Sequence, residues 1–313
     1  MFSQASGISI NTGKFWVLKP YDILINGEGG GLLLTKREHQ LVERIRVWEN
    51  KLYLQERGTK HSYEKWVDST FDKLPDRQQK LFFSTLDNLL FHLHAIIQSS
   101  SVQKEATDRI VKSAQANYPY IQEVQDLRAL PVESLMYYAE QEIAKHRLYS
   151  FAQGGLAGSG GIFFMAADIP MVIAINLRIV QLLSLIYGYE VNTPYEMMTS
   201  FKVFHIATLP KHLQGREWRS LIEEMKENND TYFWNDDHEV ITDKTWLGLP
   251  LKQVAKGLFI LLVKRKLIQG IPLVGIGIGA GVNYTLTKQV TEFAHYFYLL
   301  RYLTEKDDMY ERI

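Results

Sequence analysis

The sequence contains no cysteine in its 313 residues. That one absence excludes disulfides, thiolate metal sites and cysteine nucleophiles, and it accords with a reducing compartment. There is no excess of charge of either sign: 35 lysines and arginines face 35 aspartates and glutamates. No global field draws the chain to nucleic acid, so attraction to any anion has to be local. Histidine is sparse, at nine residues, and poorly spaced for metal. His92 and His94 point to different sides of a helix, while Glu142 and His146 share a face without a second cluster to join them. No metal or cofactor is expected. The start, M-F-S-Q-A-S-G-I-S, lacks the basic residues and compact apolar core of a secretory signal. No glycine stands at position 2 for myristoylation, and no terminal cysteine for prenylation. The expectation is a cytoplasmic protein that meets a membrane, if at all, from the inner face and by its own residues.

What is present is mostly helix. Hydrophobic residues make up 46% and charged residues 22%, the balance of a globular chain. Residues 1–34 read as an irregular arm, and 35–313 as a helical domain. Thr35 with Glu38 three residues on forms a capping box, and Leu41, Ile45, Trp48 and Leu52 then recur at helical spacing. Helices are expected over 61–73, 76–98 and 102–116. The next runs from Pro131, placed to open it, to about Phe151. An apolar helix over 171–187 closes at Gly188, and a basic amphipathic one covers 249–267. The acidic tract from Glu223 to Asp237 reads as a helix end and loop. The fold class is all-α, a multi-helix bundle.

Two stretches without charge stand apart. Residues 148–167, twenty in all, include Gly154, Gly155 and Gly158; residues 267–287, twenty-one in all, include Gly275, Gly277, Gly279 and Gly281. The second has about the length a helix needs to cross the ~30 Å hydrocarbon core, but Gly270 and Pro272 interrupt it. It reads as a break and then a glycine face that starts the last helix. Gly275 and Gly279, four apart, suit close contact between apolar helices. Both stretches carry Ile-Pro and an asparagine further on, so they are expected to form two Gly/Ile-Pro hairpin segments packed together. Asp168, before Ile169 and Pro170, reads as a helix N-cap, with a functional acid paired to Arg178 as the alternative. Arg178, on an apolar helix, needs a carboxylate, carbonyls or a lipid phosphate. Asn176 and Asn283 would bond between helices. Lys264, Arg265 and Lys266, beside the second stretch, suit anionic headgroups or simply a solvated helix end. Neither glycine run completes a phosphate-binding or dinucleotide-binding pattern, and Ser159 lies outside a nucleophile elbow. Aromatic residues lack the basic interleaving of a nucleic-acid surface.

The run Gly154 to Gly161, then Ala167-Asp168-Ile169-Pro170, Asn176-Leu177-Arg178 and Tyr187-Gly188-Tyr189, resembles the central signature of the EcsC protein family. The later Ile271-Pro272-Leu273-Val274-Gly275 and Ile278 to Asn283 are similar to its second block. The resemblance covers roughly residues 40 to 305 and leaves the arm outside. The family takes its name from a gene beside those of an ABC-type transporter in Gram-positive bacteria, and it brings no established catalytic residues or cofactor. The resemblance implies a fold and a neighbourhood more than an activity; together with the two uncharged segments it leads to the expectation of a non-enzymatic protein at the cytoplasmic membrane face. Its partner would be a lipid surface or a membrane protein, an ABC-type transporter among them. Two alternatives stay open. One is an enzyme or carrier for a lipid-like substrate, in a cavity between the two segments with Asp168, Arg178 and Asn283 as polar groups. The other is a soluble protein-interaction bundle.

Overall fold

Pro272 opens a helix of 40 residues, about 60 Å long, and the other helices are laid around it. The computed structural model describes residues 34–56, 100–158, 161–227 and 272–311, with isolated positions between 65 and 83. Among the described residues there are seven α-helices and no strand. These are α1 (Lys36–Leu54), α2 (Ser100–Gln115), α3 (Val132–Gly158), α4 (Gly161–Ile186), α5 (Pro194–Thr208), α6 (Lys211–Glu227) and α7 (Pro272–Glu311). A 3₁₀ turn, Gln125–Ala129, lies between α2 and α3. The arm expected over 1–34 falls, except for Leu34, outside the described residues. So do the expected helix over 249–267, most of those over 61–98, and the basic run Lys264, Arg265 and Lys266.

Local chemistry explains three of the helix ends. Glu38 N donates to Thr35 Oγ1 at 3.2 Å and Thr35 N to Glu38 Oε2 at 2.8 Å, completing the capping box of α1. Thr193 accepts from Glu196 N at 3.2 Å, and Pro194 takes the first turn of α5. Helix α4 ends where Gly188 adopts φ 86°. Gly188 N donates to Leu185 O at 3.0 Å and Tyr189 N to Ser184 O at 2.9 Å, which satisfies two carbonyls the helix end would leave free.

Two boundaries differ from the sequence reading. Helix α3 starts one residue after Pro131, whose carbonyl accepts from Leu135 N at 3.3 Å, and it runs through Gly154 and Gly155 to Gly158 instead of ending near Phe151. Helix α4 begins at Gly161, not after Asp168. Asp168 is therefore no N-cap, and Pro170 lies inside the helix. The reason is cooperativity: once nucleated, each apolar residue from Ile162 onward adds one backbone bond. Pro170 removes the amide that would serve the carbonyl of Ala166 and crowds that carbonyl with its ring, a local cost that the rest of the apolar helix outweighs.

Packing follows hydrophobic faces. Helix α7 lies most extensively against α3 and also against α4, α5 and α1; α6 closes over α1 and α5. Between Val290 and Thr304, α7 buries residues on every side, among them Phe293, Phe297, Tyr298, Leu300 and Tyr302. A ring of aromatic edges joins α1, α6 and α7. Trp218 meets Trp48 and Phe293 at 5.0 Å between centroids, and Trp48 meets Phe293 at 5.5 Å. Gly215 of α6 lets its backbone approach Leu52 O, where an added Cβ would sit 3.0 Å away.

Candidate functional site

Three contacts between α3 and α7 set the geometry of the site. Arg147 donates to Thr291 Oγ1 at 3.0 and 2.9 Å, Thr287 donates to Ser150 Oγ at 2.7 Å, and Phe151 meets Tyr284 edge-on at 6.4 Å. Residue number rises along α3 as it falls along α7, so the two helices are antiparallel. The uncharged C-terminal part of α3, from Leu148, therefore lies at the same end as the uncharged start of α7, from Pro272 to Thr287. Two residues separate the end of α3 from the start of α4, which packs on it, so the uncharged start of α4, to Ala167, belongs to that end too.

This end exposes carbon to solvent. Leu148 is 64% exposed and Phe151 49%, with Tyr149, Met171 and Tyr284 also open. These are five of the ten large apolar side chains exposed among the described residues. Scattered single apolar residues are ordinary on a surface; these five are gathered at one end.

A group of cations lies just behind it. Glu142 is shared by Arg109 at 3.4 Å and Lys145 at 3.0 Å. Arg178 is half-buried in the same field; burial holds its pKa below the usual value, Arg109 adds to that, and Glu105 and Glu142 oppose it. An arginine remains a cation throughout. His146 bonds the carbonyl of Glu142 at 2.9 Å, and burial lowers its pKa as well. Arg147 adds a further cation at the level of the α3–α7 contacts.

The residues singled out in the sequence distribute as follows. Gly154, Gly155 and Gly158 close α3, Asp168 and Pro170 lie in the first half of α4, and Pro272, Gly275 and Gly279 lie in the first turns of α7. Asn176 is fully buried and donates to Val172 O of its own helix at 2.7 Å; its Oδ1 finds no hydrogen-bond partner among the described residues. Asn283 is buried at the base of the uncharged run of α7. Gly281 departs from the close-packing expectation, because a Cβ added there meets nothing within 4 Å.

Sequence reasoning missed a second feature. A cavity of 360 Å³ between α1, α6 and α7 is lined by Trp48, Lys51, Lys211, Thr285, Lys288 and Glu292, with Gln214, Gln289 and Phe293 among its other walls. Arg178 and Asn283 are not among its lining residues. Its residues come from three distant segments, so no local spacing could have revealed it. Among the described residues no three histidines, aspartates or glutamates group as metal ligands.

Comparison with known proteins bears out the family resemblance. The model of the EcsC protein family matches residues 39–303. Protein EcsC of Bacillus subtilis (strain 168) is 26% identical over 257 residues, which is 82% of this chain and 98% of that protein. The uncharacterized protein YdbA of the same organism is 24% identical over 275 residues, 86% of this chain and 93% of its own. No solved structure matches.

Proposed function

The chain belongs to the EcsC protein family, and from that premise and the geometry of its uncharged helical end we propose a peripheral membrane protein. On this reading it is non-enzymatic and attaches to the cytoplasmic face of the membrane by that end. The observation that carries the proposal is the coincidence of uncharged segments from α3, α4 and α7 at one end, with exposed Leu148, Phe151 and Met171 and cations behind them. Among the described residues no helix is long and apolar enough to cross a membrane; the mode proposed is partial insertion. Apolar side chains entering the interface gain about 25 cal/mol per Å² removed from water. Basic residues near an anionic surface add about 1 kcal/mol each. A role as accessory to an ABC-type transporter is part of the proposal and rests on the family resemblance; attachment to the membrane would bring the two proteins into one plane.

Flotation with vesicles tests this directly. The full chain should float with vesicles containing anionic lipid, and binding should weaken as salt screens the cations. Leu148→Glu and Phe151→Glu, both at exposed positions, should leave the helical spectrum unchanged and reduce binding at least about tenfold, given a cost of ~2–3 kcal/mol for an acid in lipid. A wild-type chain that stays wholly in the soluble fraction at low salt would sink the proposal.

A further inference from the structure

We infer that the cavity between α1, α6 and α7 binds a phosphorylated polyol of the glycerol-phosphate class, either free or as the headgroup of a lipid. The volume of 360 Å³ falls within the ~300–1,000 Å³ usual for small-ligand sites. Its chemistry has three parts. Lys51, Lys211 and Lys288 reach it from three different helices, and none forms an ion pair among the described residues. Lys145, Lys202 and Lys306, by contrast, each hold a carboxylate. A free phosphate monoester carries about −1.5 to −2 charges near neutral pH and a lipid phosphodiester about −1; three lysines opposed by one glutamate can neutralise either. Lys211 is also the first residue of α6, whose first turn contains no acid. A lysine there opposes the positive end of the helix dipole, and a bound anion relieves both.

The second part is the polar wall. Glu292, Thr285 and Gln289 offer acceptors and a donor suited to hydroxyl groups, which a bare phosphate site would not need. Glu292 in particular would repel phosphate, and its presence favours a ligand with hydroxyls to place beside it. The third part is rigidity. Gln214 Nε2 donates at 3.0 Å to both Ala207 O and Leu209 O, and Gln289 Nε2 donates at 2.5 Å to Ala207 O. These bonds tie the cavity wall to the end of α5, so the site is largely formed before a ligand arrives. Trp48 and Phe293 supply flat apolar surface for the carbon skeleton.

Thr285 follows Tyr284, one of the exposed residues of the apolar end. A lipid lying against that end could therefore place its headgroup in the cavity. The inference does not depend on membrane attachment, because a soluble ligand would serve.

Calorimetric titration of the full chain with glycerol phosphate, inorganic phosphate and glycerol decides the question. A parallel flotation uses phosphatidylglycerol vesicles with glycerol phosphate as competitor. Saturable binding of glycerol phosphate is expected, tighter than that of inorganic phosphate. Lys51→Gln and Lys288→Gln together should weaken it at least about tenfold, the loss of one charged hydrogen bond. Glu292→Gln should tighten inorganic phosphate and reduce the preference for the glycerol ester. If only vesicles bind, and the lysine pair abolishes that binding, the ligand is the lipid headgroup. Leu148→Glu should reduce flotation but leave glycerol phosphate binding intact, which separates this site from the apolar end. If neither glycerol phosphate nor phosphatidylglycerol shows binding that depends on the lysines, in variants with unchanged helical spectra, the inference is wrong.

Discussion

At Gly188 the backbone takes φ 86°, and a Cβ there would overlap the side chain of Arg128. Arg128 cannot easily move aside, because its Nε donates to Gly188 O at 3.1 Å and its guanidinium lies 4.4 Å from the centre of the Tyr189 ring. Strain and overlap act together, so Gly188→Ala should destabilise by more than about 1 kcal/mol. Gly281 presents the opposite case, a helical glycine with open space around its missing side chain. Gly281→Ala should stabilise by roughly 0.5–1 kcal/mol through helix propensity. Thermal unfolding of both variants checks the pair, and a stabilised Gly188→Ala would mean the turn is not as drawn. The sequence marked Gly188 as a helix stop, but the overlap with Arg128 and the open space at Gly281 are visible only in the packed structure.

Helices α5 and α7 are joined by a buried ion pair. Arg301 donates to both oxygens of Glu196, at 2.9 and 2.7 Å, and to Glu305 at 2.8 Å. Its guanidinium also lies 3.8 Å from the centre of the Tyr189 ring. Burial alone would lower the arginine pKa, but Glu196 and Glu305 reverse that and raise it. A pair of this kind is weak evidence for stability, yet breaking it is costly because one charge is left buried. Arg301→Met should therefore lose about 3–5 kcal/mol in urea unfolding, and adding Glu196→Met should restore most of it. A double variant no more stable than the single would show that the pair does more than neutralise itself. The sequence showed Arg301 on a helical face, but a partner 105 residues away leaves no local trace.

For the whole molecule, two buried groups make stability depend on pH in opposite directions. Glu49 accepts from Trp218 Nε1 at 2.6 Å. Burial raises its pKa to about 7, against lowering by the Trp218 bond, Arg46 and Lys226. The folded state thus holds this proton more tightly than the unfolded state, so the Glu49 contribution improves as pH falls from about 7 toward 4.5. His295, bonded to Tyr187 at 3.3 Å, behaves in reverse. Burial, with Arg44 and Arg147, lowers its pKa to about 4, so the unfolded state takes up the proton first and stability is lost from pH 6.5 down through about 4. Glu49→Gln keeps an acceptor for Trp218 and should stabilise the protein by roughly 1–3 kcal/mol at alkaline pH. It should also expose the full acid loss due to His295, and His295→Gln should flatten that loss. Melting temperatures across this range test both, and a Glu49→Gln profile parallel to wild type would refute the assignment.

Much of the fold was legible because its causes are local. Thr35 with Glu38, and Gly188 after an apolar helix, act within a few residues of themselves, so capping and turn chemistry located them. The absence of strand patterning identified the all-α class. The two uncharged runs were visible as composition, whatever their role. Asp168 and Pro170 misled because a local cap signal competes with helix propagation, and only the packed bundle shows which prevails. Tertiary structure alone decided that the uncharged parts of α3, α4 and α7 share one end, since side-chain contacts such as Ser150 with Thr287 set their relative direction. It alone brought Glu49 to Trp218, 169 residues apart, and Lys51, Lys211 and Lys288 to one cavity. Sequence determines what each segment prefers. Which surfaces meet depends on burying all the apolar faces at once, a condition that no single stretch of chain contains.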